Sequence, residues 1–249
     1  METGRNDRLY HGSPLGPLVR GVVLDFDGVL ARSMEFHAEA YRRVLDPFGL
    51  RPTDRDVFLL EGARSETLIR ELLEHSGRQV SEGDLQQLAE AKQRIFATLG
   101  PARLYDGARE LVARARAAAD RLGLVTGTRR ENLERLIPDL IPSFDALLAQ
   151  DSYRKDKPDP EPYAKAANAL ALEPGQCLAL ENAVRGVESA RRADYGHVVA
   201  ITTTLHEDEL RNAGAHVVVQ THDEAAVAIE AWAGRPAEAG TPSSGGRAR

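Results

Sequence analysis

Two aspartates two residues apart, Asp25 and Asp27, follow the apolar run Val22-Val23-Leu24 and precede Gly28. Carboxylates so spaced at a strand end can share a divalent cation, and Gly28 permits the turn that brings the backbone close. One of them could also attack phosphorus to give an aspartyl-phosphate while the other shuttles protons. The same segment, Asp25-Phe26-Asp27-Gly28-Val29, equally suits an ordinary strand-to-loop turn, where Asp and Gly are common.

Further candidates recur after later apolar runs. Thr126-Gly127-Thr128 offers hydroxyls and backbone amides suited to phosphate oxygens, although Thr is also a common helix cap. Lys157-Pro158 lies in a polar loop with Lys155 and Asp156. A lysine beside a phosphate would neutralise charge as it develops, whereas a lone lysine is ordinarily solvated surface. Glu181-Asn182 offers a carboxylate and a carbonyl oxygen, the hard ligands that magnesium takes, or simply a turn. His37 lies a turn or so beyond the aspartates, near enough to line a cleft or to serve as a structural histidine. Cys177 stands at the start of a run with no basic partner evident, so it reads as packing rather than as a nucleophile.

The elements that must position these residues follow from hydrophobic patterning. Short unalternated runs recur at Val22–Leu24, Leu122–Val125, Ala146–Ala149, Leu178–Leu180, Val198–Ile201 and Val217–Val219. Such runs fit strands covered on both faces. Helical patterns over residues 107–119, 130–136, 160–172 and 183–193 separate several of them. The alternation predicts an α/β fold, a Rossmann-like doubly wound parallel sheet. In such sheets ligands bind beyond the carboxyl ends of the strands, where the candidate residues stand. From Met34 to about Leu99 no strand pattern is found, and helical periodicity (Leu68, Ile69, Leu72, Leu73; Leu85, Leu88, Ile95, Phe96) predicts an inserted helical domain. The expected organisation is a core of residues 18–33 and 100–233, a helical insert of 34–99, and disordered ends at 1–17 and 234–249. No internal repeat is visible.

Composition narrows the function classes. The 249 residues carry 32 Lys+Arg against 38 Asp+Glu, a net charge of −6, which disfavours nucleic acid and anionic membrane as partners. A single cysteine leaves too little sulfur for a disulfide or a structural zinc site. No apolar run approaches the roughly 18 residues that span a bilayer, and Met1 to Arg20 lacks the apolar centre of a signal peptide. The expectation is a cytoplasmic protein, monomeric or weakly homodimeric.

Taken in order, the segments resemble the haloacid dehalogenase-like hydrolases, in the subgroup with a helical cap inserted after the first strand. Asp25-Phe26-Asp27-Gly28-Val29 is similar to that family's first motif and Leu124-Val125-Thr126-Gly127 to its second. Lys157-Pro158-Asp159-Pro160-Glu161-Pro162-Tyr163 resembles the third, and Cys177 to Ala193, with Glu181-Asn182 and Gly186-Val187, the fourth. The resemblance implies Asp25 as nucleophile and Asp27 as general acid/base, with Thr126 and Lys157 holding the transferring phosphoryl group. It implies a Mg2+ site formed by Asp25, Asp27, Glu181 and Asn182. Ser33-Met34-Glu35-Phe36-His37 and Gly62-Ala63-Arg64 resemble cap segments of the β-phosphoglucomutase and sugar-phosphate phosphatase branch. That places His37, Arg64, Gly127, Thr128 and Arg130 as candidate substrate contacts, with a second, non-reacting phosphate or hydroxyls as the target of Arg64, Thr128 and Arg130.

The chain also departs from the family pattern. Many relatives have Glu-Asp where Glu181-Asn182 stands, and Asn removes one negative charge from the implied metal site. Arg32 replaces a small or acidic residue, and Asp156 and Asp194 replace frequent glycines. The dehalogenases of the family lack a counterpart of Asp27, so its presence favours phosphoryl transfer over carbon–halogen cleavage. The leading expectation is a magnesium-dependent phosphatase of a small phosphorylated metabolite. The alternatives are a phosphomutase with the same residues and a catalytically silent ligand sensor.

Overall fold

A computed structural model describes residues 19–100 and 102–233. The expected disordered ends, 1–17 and 234–249, lie outside the described residues. Six strands form one parallel sheet: β1 (Gly21–Leu24), β4 (Arg121–Val125), β5 (Ala146–Leu148), β6 (Cys177–Glu181), β7 (His197–Ile201) and β8 (Val217–Val219). Their order is β5-β4-β1-β6-β7-β8, with Leu24 level with Leu124 on one side and with Leu180 on the other. Each of the six apolar runs is therefore a strand.

Both faces are covered, which is why the runs do not alternate with polar residues. On β1, Val22 and Leu24 pack with α5 (Ala108–Ala118) and α10 (His222–Trp232), whereas Val23 faces α7 (Glu161–Ala169) and α8 (Val184–Arg192). Helix α5 buries Ala108, Leu111, Val112 and Ala115, a stripe at helical spacing. Thr221 and Glu224 form a reciprocal capping box at the start of α10. Short helices α6 (Arg130–Leu136) and α9 (Glu207–Asn212) follow β4 and β7. Helix α7 stops short of the expected Leu172 because the chain turns at Ala171, whose φ is +55°. Asp194 has φ +59°, the left-handed conformation that glycine adopts most readily.

Between the first and second of these strands run α1 (Met34–Leu45), α2 (Asp54–Leu59), α3 (Ser65–His75) and α4 (Glu82–Thr98). They surround their own apolar cluster, which includes Tyr41, Leu45, Val57, Ile69, Leu73, Leu85 and Ala89. Where the chain leaves and re-enters the sheet layer, β2 (Ala31–Arg32) pairs antiparallel with β3 (Arg103–Leu104). A two-residue pairing is too short to leave a sequence pattern. No described helix is long and apolar enough to cross a membrane.

Candidate active site

The sheet grows outward from β1 through β4 to β5, then returns to β6 on the other side of β1. This reversal opens a crevice at the strand ends, the place where such sheets bind ligands. Asp25 directly follows β1, Thr126 follows β4 and Glu181 ends β6, so parallel register brings Asp25 level with Glu181 and within one residue of Thr126. Gly28, with φ +80°, turns the chain just beyond Asp27, and a Cβ there would collide with the amide of Asn182.

Asp25, Thr126, Lys157, Glu181 and Asn182 are all buried. Lys157 Nζ donates to Asp25 Oδ1 at 2.6 Å and to Glu181 Oε1 at 2.5 Å, and the Tyr163 hydroxyl donates to the same Glu181 oxygen at 2.7 Å. Burial alone would discharge the lysine, but Asp25 and Glu181 outweigh it and hold the ammonium above its ordinary range. Burial raises the Asp25 carboxyl well above the usual carboxylate range, with Lys157 opposing and Glu181 reinforcing.

Asp27 is treated differently by its surroundings. Its Oδ1 accepts from Ser33 Oγ at 2.6 Å, and its Oδ2 accepts from Thr128 Oγ1 at 2.7 Å and Thr126 Oγ1 at 3.3 Å. His37 Nε2 stands 3.6 Å from Oδ1. Burial raises Asp27, yet the neighbouring His37 and the hydrogen bonds from Ser33 and Thr128 outweigh it and hold the carboxyl far below its usual range. The two aspartates are thus shifted in opposite directions.

Glu61, from the loop between α2 and α3, is buried against the strand ends and accepts from Asn182 Nδ2 at 2.9 Å. Thr204 Oγ1 takes the same amide nitrogen at 3.0 Å. Asn182 Oδ1 is buried and has no partner. Asp25, Asp27, Glu61 and Glu181 sit close enough to act on one another electrostatically, and among the described residues Lys157 is the one ammonium or guanidinium paired with any of them. No trio of His, Cys, Asp or Glu among the described residues is already drawn together as metal ligands. The donor set nevertheless fits magnesium: oxygens alone, an excess of negative charge, and an orphaned amide oxygen.

A cavity of about 370 Å³ opens from these carboxylates toward α1, α3 and α4. His37, Arg64, Gly127 and Thr128 line it together with Asp25, Asp27, Lys157 and Glu181, so the structure brings those residues to one place. Two expected substrate contacts sit otherwise. The Arg64 guanidinium is already engaged, its Nε 2.9 Å from Asp156 and its Nη2 donating to the Tyr153 carbonyl at 2.7 Å. Arg130 does not line the cavity; its Nη2 donates to the Leu147 carbonyl at 3.0 Å, and the neighbouring Arg129 lines the cavity instead. Arg129 is the extended residue that caps α6 and Arg130 the first helical one, so the chain changes direction between them.

A family described as haloacid dehalogenase-like hydrolase matches residues 19–194. The chain belongs to the haloacid dehalogenase-like hydrolases. Similar members include a phosphorylated carbohydrates phosphatase of Thermotoga maritima, 29% identical over 82% of this chain and 96% of its own length. The β-phosphoglucomutase of Bacillus subtilis is 27% identical over 70% of this chain and 80% of its length. A crystal structure of CbbY from Rhodobacter sphaeroides in complex with phosphate shares the fold at a TM-score of 0.67, with 25% identity over 83% of this chain and 96% of that one.

In this haloacid dehalogenase-like hydrolase several site residues escaped sequence reasoning. Lys92 of α4 is buried, stands over the Tyr41 ring at 4.6 Å, and places its Nζ 2.6 Å from His37 Nδ1. Burial lowers it to about 7, partly offset by Asp27 and Glu66. A signal was present: 92 continues the apolar stripe 85, 88–89, 95–96, where a solvated lysine has no business. The same burial, with Lys92 beside it, lowers His37, which stacks on Phe96 at 4.3 Å between ring centroids. Ser33, Glu61 and Tyr163 carried no comparable signal, being polar residues in helix-start, turn and helix contexts where polarity is ordinary.

Proposed function

We propose that the chain is a magnesium-dependent phosphatase of a small phosphorylated metabolite, a sugar phosphate, acting through an aspartyl-phosphate on Asp25. The observation that carries this reading is the pair of strand-end aspartates with opposite surroundings. Asp25 is buried against Lys157, and Asp27 is hydrogen-bonded by Ser33, Thr126 and Thr128. The matches to a carbohydrate phosphatase and to a phosphomutase support the substrate class.

Residues 34–99 serve as a cap over the cavity, which excludes water from the reacting phosphoryl group. Lys157 and Thr126 hold that group, and an Asp25 oxygen attacks phosphorus in line. Asp27, whose donors favour the carboxylate, must take up a proton as substrate binds in order to give it to the departing sugar oxygen. It then takes a proton from the water that hydrolyses the aspartyl-phosphate. The hydrogen bonds to Asp27 favour the carboxylate, the form the second half needs. Asp25, Asp27 and Asn182, with Glu181 beside them, would hold magnesium, which when bound neutralises phosphoryl charge and polarises its oxygens. Location in the cytoplasm and a monomeric or weakly dimeric state fit such an enzyme.

The test is a screen of phosphorylated metabolites for phosphate release with and without magnesium. Release from one or a few sugar phosphates, lost on chelation, is the expected result; no release from any would refute the reading. The similarity to a β-phosphoglucomutase favours a second reading, transfer back to a sugar hydroxyl. Under it, glucose 1,6-bisphosphate would accelerate isomerisation of β-glucose 1-phosphate rather than being hydrolysed.

A further inference from the structure

Resting on the magnesium reading above, the geometry points to Glu61 as a positioning residue for the metal site. It holds the Asn182 amide so that Oδ1 is presented as a ligand, and it supplies from the helical insert the negative charge that an aspartate at 182 would have carried. The magnesium site is then complete only when the insert lies closed on the sheet.

The Asn182 amide has two unlike ends. Both hydrogens of Asn182 Nδ2 are used, one by Glu61 Oε2 at 2.9 Å and one by Thr204 Oγ1 at 3.0 Å, while Oδ1 is buried and unpartnered. A flipped amide would set its oxygen against the Glu61 carboxylate, two acceptors in contact, so Glu61 selects the rotamer that leaves Oδ1 free. An orphaned oxygen in a fully buried side chain costs free energy unless something binds it. Glu61 is itself buried at 8% exposure and has no cationic partner among the described residues, although Asp25, Asp27 and Glu181 all act on it. Burial and those carboxylates raise the Glu61 carboxyl well above its ordinary range, and a cation bound among them would favour its charged form.

Glu61 reaches the sheet because the insert is pinned there. Asp156 accepts from the Arg64 backbone amide and pairs with its side chain. Arg55 pairs with Glu209, and Arg185 with Glu71. Gly62, with φ +97°, lies close against Lys157, and a Cβ there would be crowded by Lys157 and Arg185 at 3.2 and 3.4 Å. The turn that delivers Glu61 thus needs the residue that follows it.

Asn182→Asp would add a carboxylate, but it would do so against Glu61, leaving two buried carboxylates where one hydrogen bond stood. Positions 61 and 182 are alternatives, and one carboxylate between them suffices.

The experiment is a double-mutant cycle read by calorimetric magnesium binding, without substrate, on full-length protein checked for folding by circular dichroism. Glu61→Ala should weaken magnesium binding about tenfold. Asn182→Asp alone should give no gain. The double variant Glu61→Ala/Asn182→Asp should return to within about twofold of wild type, since a carboxylate has no wrong face to present. Magnesium should slow amide hydrogen exchange in α2 and α3 of the wild type and not of Glu61→Ala. Wild-type affinity in Glu61→Ala, or the same tightening by Asn182→Asp in both backgrounds, would overturn the coupling while leaving the magnesium reading intact. Silence of the wild type in calorimetry would overturn both, starting with the metal.

Discussion

At Asp25 the proposed chemistry asks for a carboxylate stripped of water yet still charged. Burial and the neighbouring carboxylates oppose that charge, and the ammonium of Lys157, 2.6 Å away, favours it. Asp27, two residues on, is surrounded by donors and needs no such help. The same side-chain type is therefore shifted in opposite directions by its two environments. Asp25→Asn keeps the shape and removes the nucleophile, so turnover should fall by at least about a thousandfold while the circular dichroism spectrum is unchanged. Assay of phosphate release by the purified variant checks this, and activity above about one per cent of wild type would exclude an aspartyl-phosphate on Asp25.

At the scale of elements, the junction of β6 and α8 fixes Glu181. The helix passes so close that Gly186 packs directly beneath the carboxylate, and a Cβ there would strike its carbon and both oxygens. On an isolated helix Gly→Ala stabilises by about 1 kcal/mol. Here the methyl must displace a fully buried side chain tied to Lys157 and Tyr163, and overpacking of that kind costs about 1–3 kcal/mol. Gly186→Ala should thus destabilise by about 1 kcal/mol net and lower activity as Glu181 shifts. Urea unfolding would show it; a gain in stability with full activity would mean that Glu181 moves freely. The β2–β3 pairing is a second case in which a small element sets geometry, since it holds together the two points where the chain crosses to the helical insert.

Across the whole molecule, the end of the sheet away from the site carries a separate electrostatic feature. His197, at the start of β7, lies between Trp232 and His216, with ring centroids 3.7 and 5.6 Å away. Burial, reinforced by His216, lowers its pKa from 6.5 to about 4. Because the folded value is depressed, the unfolded chain binds more protons between the two. Stability from this group is therefore complete above about pH 6.5 and is lost as pH falls toward about 4. Melting temperatures from pH 7.5 to 4.5 should fall less steeply for His197→Phe than for wild type. Parallel curves would mean that His197 titrates normally in the fold.

Apolar runs between polar clusters were enough to define the six strands, because a strand buried on both faces has to be apolar at every position. The order of the chemistry-bearing segments was enough to mark Asp25, Asp27, Thr126, Lys157, Glu181 and Asn182, because each stands at or near a strand's carboxyl end. Which side chains finish the site was decided in three dimensions. Arg64 turned to Asp156 and Arg130 turned away, while Lys92 and Glu61 arrived from the helical insert. Sequence spacing ranks residues along one element, but contact between the insert and the sheet depends on how two separately cored units meet. An isolated Glu before a Gly says nothing of the amide it will hold. That juxtaposition, and with it the one negative charge Asn182 lacks, belongs to the tertiary structure alone.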